Sequence, residues 1–212
     1  MSHDADAIFQ RTLAGHRDAL AALAPAHLQG LERLADDVLA AWDGGGKLLV
    51  CGNGGSAADS QHLAAELAGR YLHDRPGWPA VALTTDTSAL TAIGNDYGFE
   101  RIFARQVEAL GRPGDVLLVI STSGHSANCR QAARTARQQG LRTHALLGKD
   151  GGPLRGEVDG AIVAPGAATP RIQEMHLILI HLLCELLEAR RLGSDADPAG
   201  ADPASADGSG DA

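Results

Sequence analysis

Residues 47–57 read KLLVCGNGGSA, an apolar run of strand length followed at once by a glycine-rich turn and then by a helical pattern. Glycine lets the backbone approach a bound anion closely, and the unpaired N–H groups at the start of a helix point toward that anion. Gly52, Gly54, Gly55 and Ser56 occupy these positions. The stretch therefore predicts a strand, a phosphate-binding loop and a helix in direct succession.

Four more short apolar runs of strand length follow: AVALTT (80–85), DVLLVI (115–120), THALL (143–147) and GAIVA (160–164). Helical patterns separate most of them, and two others precede the first strand, at 7–23 and 27–42. Strands that alternate with helices favour an α/β fold with a doubly wound parallel sheet flanked by helices. The final pattern, 171–192 behind Pro170, is apolar around nearly its whole circumference, which predicts a long buried C-terminal helix.

The composition fits one globular domain. The chain has 212 residues with 44% hydrophobic residues, and its formal net charge is −8. Residues 193–212 carry five aspartates and no Lys or Arg, which leaves −3 for residues 1–192. This segment also lacks large apolar residues, so we expect a single domain over 1–192 and a disordered acidic tail over 193–212.

Charge, hydropathy and cysteine usage indicate which partners and which cellular compartment to expect. There is no basic cluster, and no apolar run approaches the ~18 residues of a membrane span, so neither nucleic acid nor membrane is an expected partner. The three cysteines have no CxxC spacing, and the N-terminus lacks the features of a signal peptide. We expect a reducing, cytoplasmic compartment.

A second turn, STSGHSAN at 121–128, follows the strand pattern DVLLVI and precedes another helical pattern. Ser121, Thr122, Ser123 and Ser126 place four hydroxyl groups there, and hydroxyls with backbone amides can hold a phosphate without lysine. The alternative is that Ser126 only caps the helix and that the other residues form an ordinary turn.

Two other groups of polar residues are candidates for chemistry. His62 and Glu66 are four residues apart and share one helix face, which suits metal binding or acid–base work, although such a pair can also be a solvated face. In the last helix Gln173 and His181 are eight residues apart, about 80° around the axis, so both can face one broad pocket. His176 and Cys184 are expected to be a hydrogen-bonded histidine and an inert core thiol.

Residues 94–98, GNDYG, lie between helical patterns and offer Asn and Asp side chains to hydroxyl groups, although a bare turn would need no function. Residues 52–57 also satisfy a loose GxGxxA dinucleotide fingerprint. The acidic ribose contact expected about 20 residues later, at a strand end, is missing, which disfavours a nicotinamide enzyme.

Four segments together resemble the phosphoheptose isomerase family: CGNGGSAADSQHLAAEL, ALTTDTSALTAIGNDYGFE, STSGHSAN and RIQEMHLILIH. The resemblance runs from about residue 6 to 192. It implies the sugar isomerase (SIS) fold with a five-stranded parallel sheet, a homotetramer with active sites at subunit contacts, and one Zn²⁺ per subunit. The implied reaction converts D-sedoheptulose 7-phosphate to D-glycero-D-manno-heptose 7-phosphate through an enediol, in heptose biosynthesis.

The resemblance also implies residue roles. Glu66 and His181 become the acid–base pair, and the metal ligands become His62, Glu66, Gln173 and His181. The residues assigned to the sugar-phosphate substrate are Asn53, Gly54, Gly55, Ser56, Glu66, Asn95, Asp96, Ser121, Thr122, Ser123, Ser126 and Gln173. Ala65 and Pro170 replace acidic residues that some members carry, and the acidic tail has no counterpart, but no proposed catalytic group is lost.

A rival class is a non-catalytic SIS protein, either a sugar-phosphate-binding regulator or a replication-initiator-associating adaptor. Such a protein needs no acid–base pair. A carboxylate beside a bound phosphate repels it, so a pure binding module gains nothing from Glu66. The residue therefore favours catalysis.

Overall fold

The computed structural model describes residues 5–193, so the predicted acidic tail lies almost wholly outside the described residues. Five strands form one parallel sheet in the order β2-β1-β3-β4-β5. Their bounds are β1 Leu48–Gly52, β2 Ala80–Ala82, β3 Val116–Ser121, β4 Arg142–Leu147 and β5 Gly160–Val163. The predicted α/β class and all five strand positions are confirmed, with β2 shorter than its apolar run.

Seven α-helices accompany the sheet within the described range. They are α1 Ala5–Ala21, α2 Pro25–Asp43, α3 Gly55–Ala68, α4 Thr87–Tyr97, α5 Ala104–Leu110, α6 Ala127–Gln138 and α7 Thr169–Leu192. The glycines after residue 43 end α2, as predicted, with Gly44 at its C-cap. Pro170 lies in the first turn of α7, where its missing N–H group costs no helical hydrogen bond.

Two hydrophobic cores cover the two faces of the sheet. Side chains alternate along a strand, so Leu48 and Val50 of β1 face the core formed with α2, α3 and α7, while Leu49 and Cys51 face the core formed with α5 and α6. All residues of β1 and β3 are buried. A wholly buried leucine contributes roughly 1.5–3 kcal/mol to stability, so these two central strands anchor the loops that follow them.

The prediction that residues 94–98 lie between helices is wrong. Gly94, Asn95, Asp96 and Tyr97 form the last turn of α4, and the helix ends only at Gly98, whose φ is 90°. The carboxylate of Asp86 caps the start of this helix by accepting a hydrogen bond from the Ala89 backbone N–H at 2.9 Å. A single glycine in a well-capped helix is tolerated at a cost of about 1 kcal/mol, which explains why Gly94 does not break it.

The strand order places a topological switch point between β1 and β3, whose following helices lie on opposite faces of the sheet. Ligands of open α/β sheets bind in the crevice at the carboxyl ends of such strands. The two turns predicted to bind phosphate follow β1 and β3, so the topology brings them together. No helix within residues 5–193 is long and apolar enough to cross a membrane.

Candidate active site

The first loop is shaped by two glycines, one for its backbone conformation and one for its close contacts. Gly54 has φ of +58° and stands directly before α3, in a conformation that favours glycine. A Cβ atom at Gly52 would lie 2.6 Å from the Ser56 carbonyl oxygen and 2.8 Å from that of Ile120. The loop therefore turns tightly against β3 and aims the amino end of α3 toward the second loop.

The second loop is held by its own hydroxyl groups. The Ser121 Oγ accepts a hydrogen bond from the Gly124 N–H at 3.1 Å, and the Ser123 Oγ accepts one from the His125 N–H at 3.2 Å. Ser126 occupies the N-cap of α6, but its side chain makes no capping hydrogen bond. The structure therefore does not support the alternative in which Ser126 only caps the helix.

The two loops enclose a cavity of about 240 Å³. Its lining consists of loop residues together with the start of α7: Asn53, Gly54, Gly55, Ser56, Ile120, Ser121, Thr122, Ser123, Ser126, Thr169 and Gln173. The residues predicted for the two phosphate loops therefore line one cavity, except Gly52, which lies at the end of β1. The cavity carries hydroxyls, amides and the amino ends of α3 and α6, which together suit an anion.

Asn128, which the sequence analysis did not single out, links the two loops. Its Nδ2 donates to the Asn53 Oδ1 at 2.8 Å, and the Asn53 Nδ2 donates to the Asn128 Oδ1 at 2.9 Å. The Cys129 backbone N–H donates to the same Oδ1 at 2.9 Å. Asn128 is buried, and a buried amide needs hydrogen-bond partners. The sequence signal for it was its place at the end of STSGHSAN, directly after the hydroxyl groups of the second loop.

Farther along α3, three predicted residues converge. The Nε2 of His62 lies 2.9 Å from the Nε2 of His181 on α7 and 3.6 Å from a carboxylate oxygen of Glu66. The His62 side chain is 40% exposed and that of Glu66 24%, so the cluster opens to solvent in a single chain. The spacing that predicted a shared face for His62 and Glu66 is confirmed.

The donors of this cluster fit a metal by their chemistry. Two imidazole nitrogens and a carboxylate oxygen are ligands that zinc prefers, and two Nε2 atoms at 2.9 Å repel unless one is protonated or both face a cation. No ready-made metal cluster of three or more His, Cys, Asp or Glu side chains occurs in residues 5–193. A metal would therefore require small side-chain movements here.

Gln173 lies elsewhere on α7 than the histidine cluster. Its side-chain amide packs against Gly55, where a Cβ atom would collide with it, and it lines the loop cavity. The eight residues to His181 correspond to a rise of ~12 Å. Its position suits a substrate contact, whereas a role as metal ligand would require the side chain to leave the cavity.

The remaining candidates have mixed outcomes. His176 is buried and hydrogen-bonds through Nε2 to the Leu147 carbonyl at 2.8 Å, and burial lowers its pKa, as expected for a structural histidine. Burial also raises the pKa of the Cys184 thiol to about 12, which makes it inert. Asn95 and Asp96 are exposed, hydrogen-bond to each other at 2.7 Å and do not line the cavity.

Asp59 is a further ionisable group on α3 near the histidines. Burial raises its pKa to about 6, and the nearby charge of His62 opposes this shift. One of its carboxylate oxygens is buried without a hydrogen-bond partner. The Asp59 carboxyl is therefore about half protonated near pH 6.

Comparison with known proteins defines the class first. Residues 13–148 match the family model of the SIS domain. The chain is 60% identical over 159 residues to the phosphoheptose isomerase of Geobacter sulfurreducens, which covers 75% of this chain and 82% of the relative. It is 52% identical over 191 residues to that of Bradyrhizobium sp., covering 89% of this chain and 96% of the relative.

A solved structure agrees. The phosphoheptose isomerase of Neisseria gonorrhoeae superposes with a TM-score of 0.75 at 44% identity, covering 87% of this chain and 96% of that one. The chain belongs to the phosphoheptose isomerase family of SIS-domain proteins. The predicted family and fold are confirmed.

Proposed function

We propose that this chain interconverts D-sedoheptulose 7-phosphate and D-glycero-D-manno-heptose 7-phosphate, with the phosphate in the loop cavity and the reacting carbons beside Glu66 and His181. The observation that carries the proposal is the convergence of His62, Glu66 and His181 from two helices. A binding protein needs the phosphate cavity alone. The additional histidine–carboxylate cluster supports catalysis.

The spacing of the two parts suits a long sugar. Ser56, at the cavity, and His62 are separated by six residues of α3, a rise of ~9 Å. A seven-carbon sugar phosphate spans this gap when extended, whereas a triose phosphate falls short. The geometry therefore supports a substrate with its phosphate far from its carbonyl.

The reaction needs a group that moves a proton between C1 and C2 and one that moves a proton between the two oxygens. Glu66 takes the C1 proton of the ketose and returns it to C2. His181 protonates the carbonyl oxygen and later accepts the proton from the other hydroxyl. Overall one hydrogen is lost from C1 and one is gained at C2, so the reaction requires no external oxidant.

Zinc is the proposed cofactor, one ion per subunit. His62, Glu66 and His181 would hold it, with Gln173 able to join only by turning out of the cavity. Bound there, the ion supplies Lewis-acid polarisation of the carbonyl. His62, 40% exposed and paired with both neighbours, is the residue whose role this assignment explains best.

The proposed assembly is a homotetramer whose subunit contacts complete the active sites, in the cytoplasm. In the isolated chain α4 has no buried residue, and Phe99 just after it is 65% exposed. Helix α1 also exposes apolar side chains, with Phe9 at 57%. Such surfaces suit contacts between copies of the chain. Light scattering on the full chain tests this, and a monodisperse monomer at micromolar concentration contradicts it.

Incubation of the purified protein with sedoheptulose 7-phosphate in deuterated water, followed by NMR, tests the reaction. Aldose should form with deuterium at the exchanging carbon, and chelation should slow it until zinc is restored. Glu66→Gln should abolish both turnover and exchange. Glu32→Gln, the same change at a side chain of α2 that is 44% exposed, is the matched control. Wild-type turnover by Glu66→Gln contradicts the mechanism, and binding without any turnover by the wild type favours the regulator instead.

A further inference from the structure

A buried ion pair joins the two helices that carry the proposed catalytic residues. The Arg75 Nε donates to a Glu188 carboxylate oxygen at 2.9 Å, and the two side chains are only 1% and 2% exposed. Arg75 follows α3 in the connection to β2, while Glu188 lies on α7. Burying two charges is costly unless all their hydrogen-bonding groups find partners, and here they do.

Arg75 closes the carboxyl end of α3. Its Nη2 donates to the Glu66 carbonyl at 2.9 Å, and its Nη1 donates to the Leu67 carbonyl at 3.0 Å. The guanidinium also stacks on Trp78, with Cζ 3.6 Å from the ring centroid. The last carbonyls of a helix have no helical partner, so this arginine fixes the helical turn that carries Glu66 itself.

Glu188 holds the segment after α3 against α7. It accepts hydrogen bonds from the backbone N–H groups of Tyr71 at 3.3 Å, Leu72 at 3.1 Å and His73 at 3.2 Å. Glu188 is seven residues after His181, so both lie on one face of α7. A single carboxylate therefore binds Arg75 and three successive amides.

Tyr71 carries this link to the catalytic histidine. Its ring centroid lies 5.7 Å from that of His181, with the two planes tilted by 31°. Its hydroxyl donates to an oxygen of the exposed Glu185 at 3.5 Å, away from the His181 ring. The ring rather than the hydroxyl is therefore the part of Tyr71 that contacts His181.

We propose that the buried Arg75–Glu188 pair, together with the Tyr71 ring that it anchors, positions Glu66 and His181 relative to each other for proton transfer. The proposal rests on the isomerase function proposed above. Arg75 holds the turn of α3 that carries Glu66. Glu188 holds the backbone of Tyr71, and the Tyr71 ring in turn restricts the orientation of the His181 side chain. Neither charged group contacts the phosphate loops, which lie at the opposite end of α3.

Two conservative changes test the pair, and two test the ring. Arg75→Lys keeps the charge but loses the fork that reaches two carbonyls, and Glu188→Gln keeps the shape but loses the charge. Tyr71→Leu removes the ring, whereas Tyr71→Phe keeps it. Val116→Ala, at the amino end of β3, is the control for lost core packing, and Arg190→Gln breaks an exposed ion pair on the same helix.

Turnover of sedoheptulose 7-phosphate is measured below the melting midpoint of every variant, with inorganic phosphate binding followed by calorimetry. A misplacement of ~1 Å can cost roughly a hundredfold in rate, so Arg75→Lys, Glu188→Gln and Tyr71→Leu should lose about tenfold or more in kcat. KM and phosphate binding should stay within about twofold. Tyr71→Phe and both controls should keep wild-type kcat.

The double variant Arg75→Lys with Glu188→Gln should lose no more kcat than the worse single variant, because both act through one link. Wild-type kcat in the pair variants, with a melting loss like that of Val116→Ala, overturns the proposal while isomerase function stands. If the pair variants do not fold, Tyr71→Leu decides, and wild-type kcat in it overturns the proposal. A wild-type protein without turnover overturns both this proposal and the proposed function.

Discussion

Asn53 and Asn128 exchange two side-chain amide hydrogen bonds, at 2.8 and 2.9 Å, although 75 residues separate them. Asn53 belongs to the loop after β1 and Asn128 to the helix after β3, so the pair fixes the distance between the two phosphate loops. The Asn53 side chain is thereby occupied by Asn128. We therefore expect the backbone N–H groups of this loop, rather than the Asn53 side chain, to bind the phosphate.

Asn128→Ala should therefore weaken substrate binding. Removing one partner leaves the half-buried amide of Asn53 unsatisfied, which should cost about 1–3 kcal/mol of stability. The loops should lose their fixed separation, so we expect KM to rise about tenfold while kcat changes less, in steady-state assays. Gln138→Ala, on the exposed face of the same helix, is the matched control. An unchanged KM in Asn128→Ala would show that the pair does not set the loop geometry.

Ser126→Ala separates substrate binding from helix capping. A serine that caps a helix typically contributes about 1 kcal/mol to stability, but the Ser126 side chain makes no capping hydrogen bond. We expect little change in urea-induced unfolding and a clear rise in KM. Asp86→Ala removes a real cap on α4 and should lose about 1 kcal/mol in the same titration. Equal losses of stability in the two variants would contradict this account.

Gly55→Ala tests whether Gln173 is needed in its present place. The added methyl group would occupy the position of the Gln173 side-chain amide, which must then move. We expect kcat/KM to fall at least about tenfold because the cavity loses a lining group and its shape. Gly156→Ala, where no atom lies within 4 Å of the new methyl group, should keep wild-type kinetics. Normal kcat/KM in Gly55→Ala would exclude Gln173 from binding.

The sheet and the two loops were predictable from local sequence patterns. A buried strand such as DVLLVI is recognised by its continuous apolar run. A turn such as GNGGS is recognised by its glycines, which leave the backbone accessible to a ligand. The sequence of the last helix marked His181 as a candidate, but only the family resemblance gave it a role together with His62, which is 119 residues away in sequence. No local pattern joins those two positions.

The Arg75–Glu188 ion pair could not be predicted from the sequence, because its two residues are far apart in the chain. Glu188 reads as one more polar position near the end of an apolar helix, and only the fold brings Arg75 to it across 113 residues. The error over residues 94–98 has a different origin, because Gly94 suggests a turn locally while the Asp86 cap at the other end of α4 favours a helix through it.

Asp59→Asn should remove one part of the pH dependence of stability. Burial raises the Asp59 pKa from 3.8 to about 6 in the folded protein. Between these values the folded state retains a proton that the unfolded chain has released, so stability falls as pH rises from about 4 to 6 and remains lower above that range. Asparagine stays neutral at every pH and avoids this loss.

We expect metal-free Asp59→Asn to match the wild type near pH 4 and to exceed it by on the order of 1 kcal/mol at pH 7, a figure reduced for partial exposure to solvent. Urea titrations at a series of pH values, with chelator present, measure the difference. Asp74→Asn removes the same charge from an exposed loop and is the matched control. A stability difference that is constant across this window would mean that the Asp59 carboxylate is well solvated in the folded protein, because only a carboxylate disfavoured by burial couples folding to protonation there.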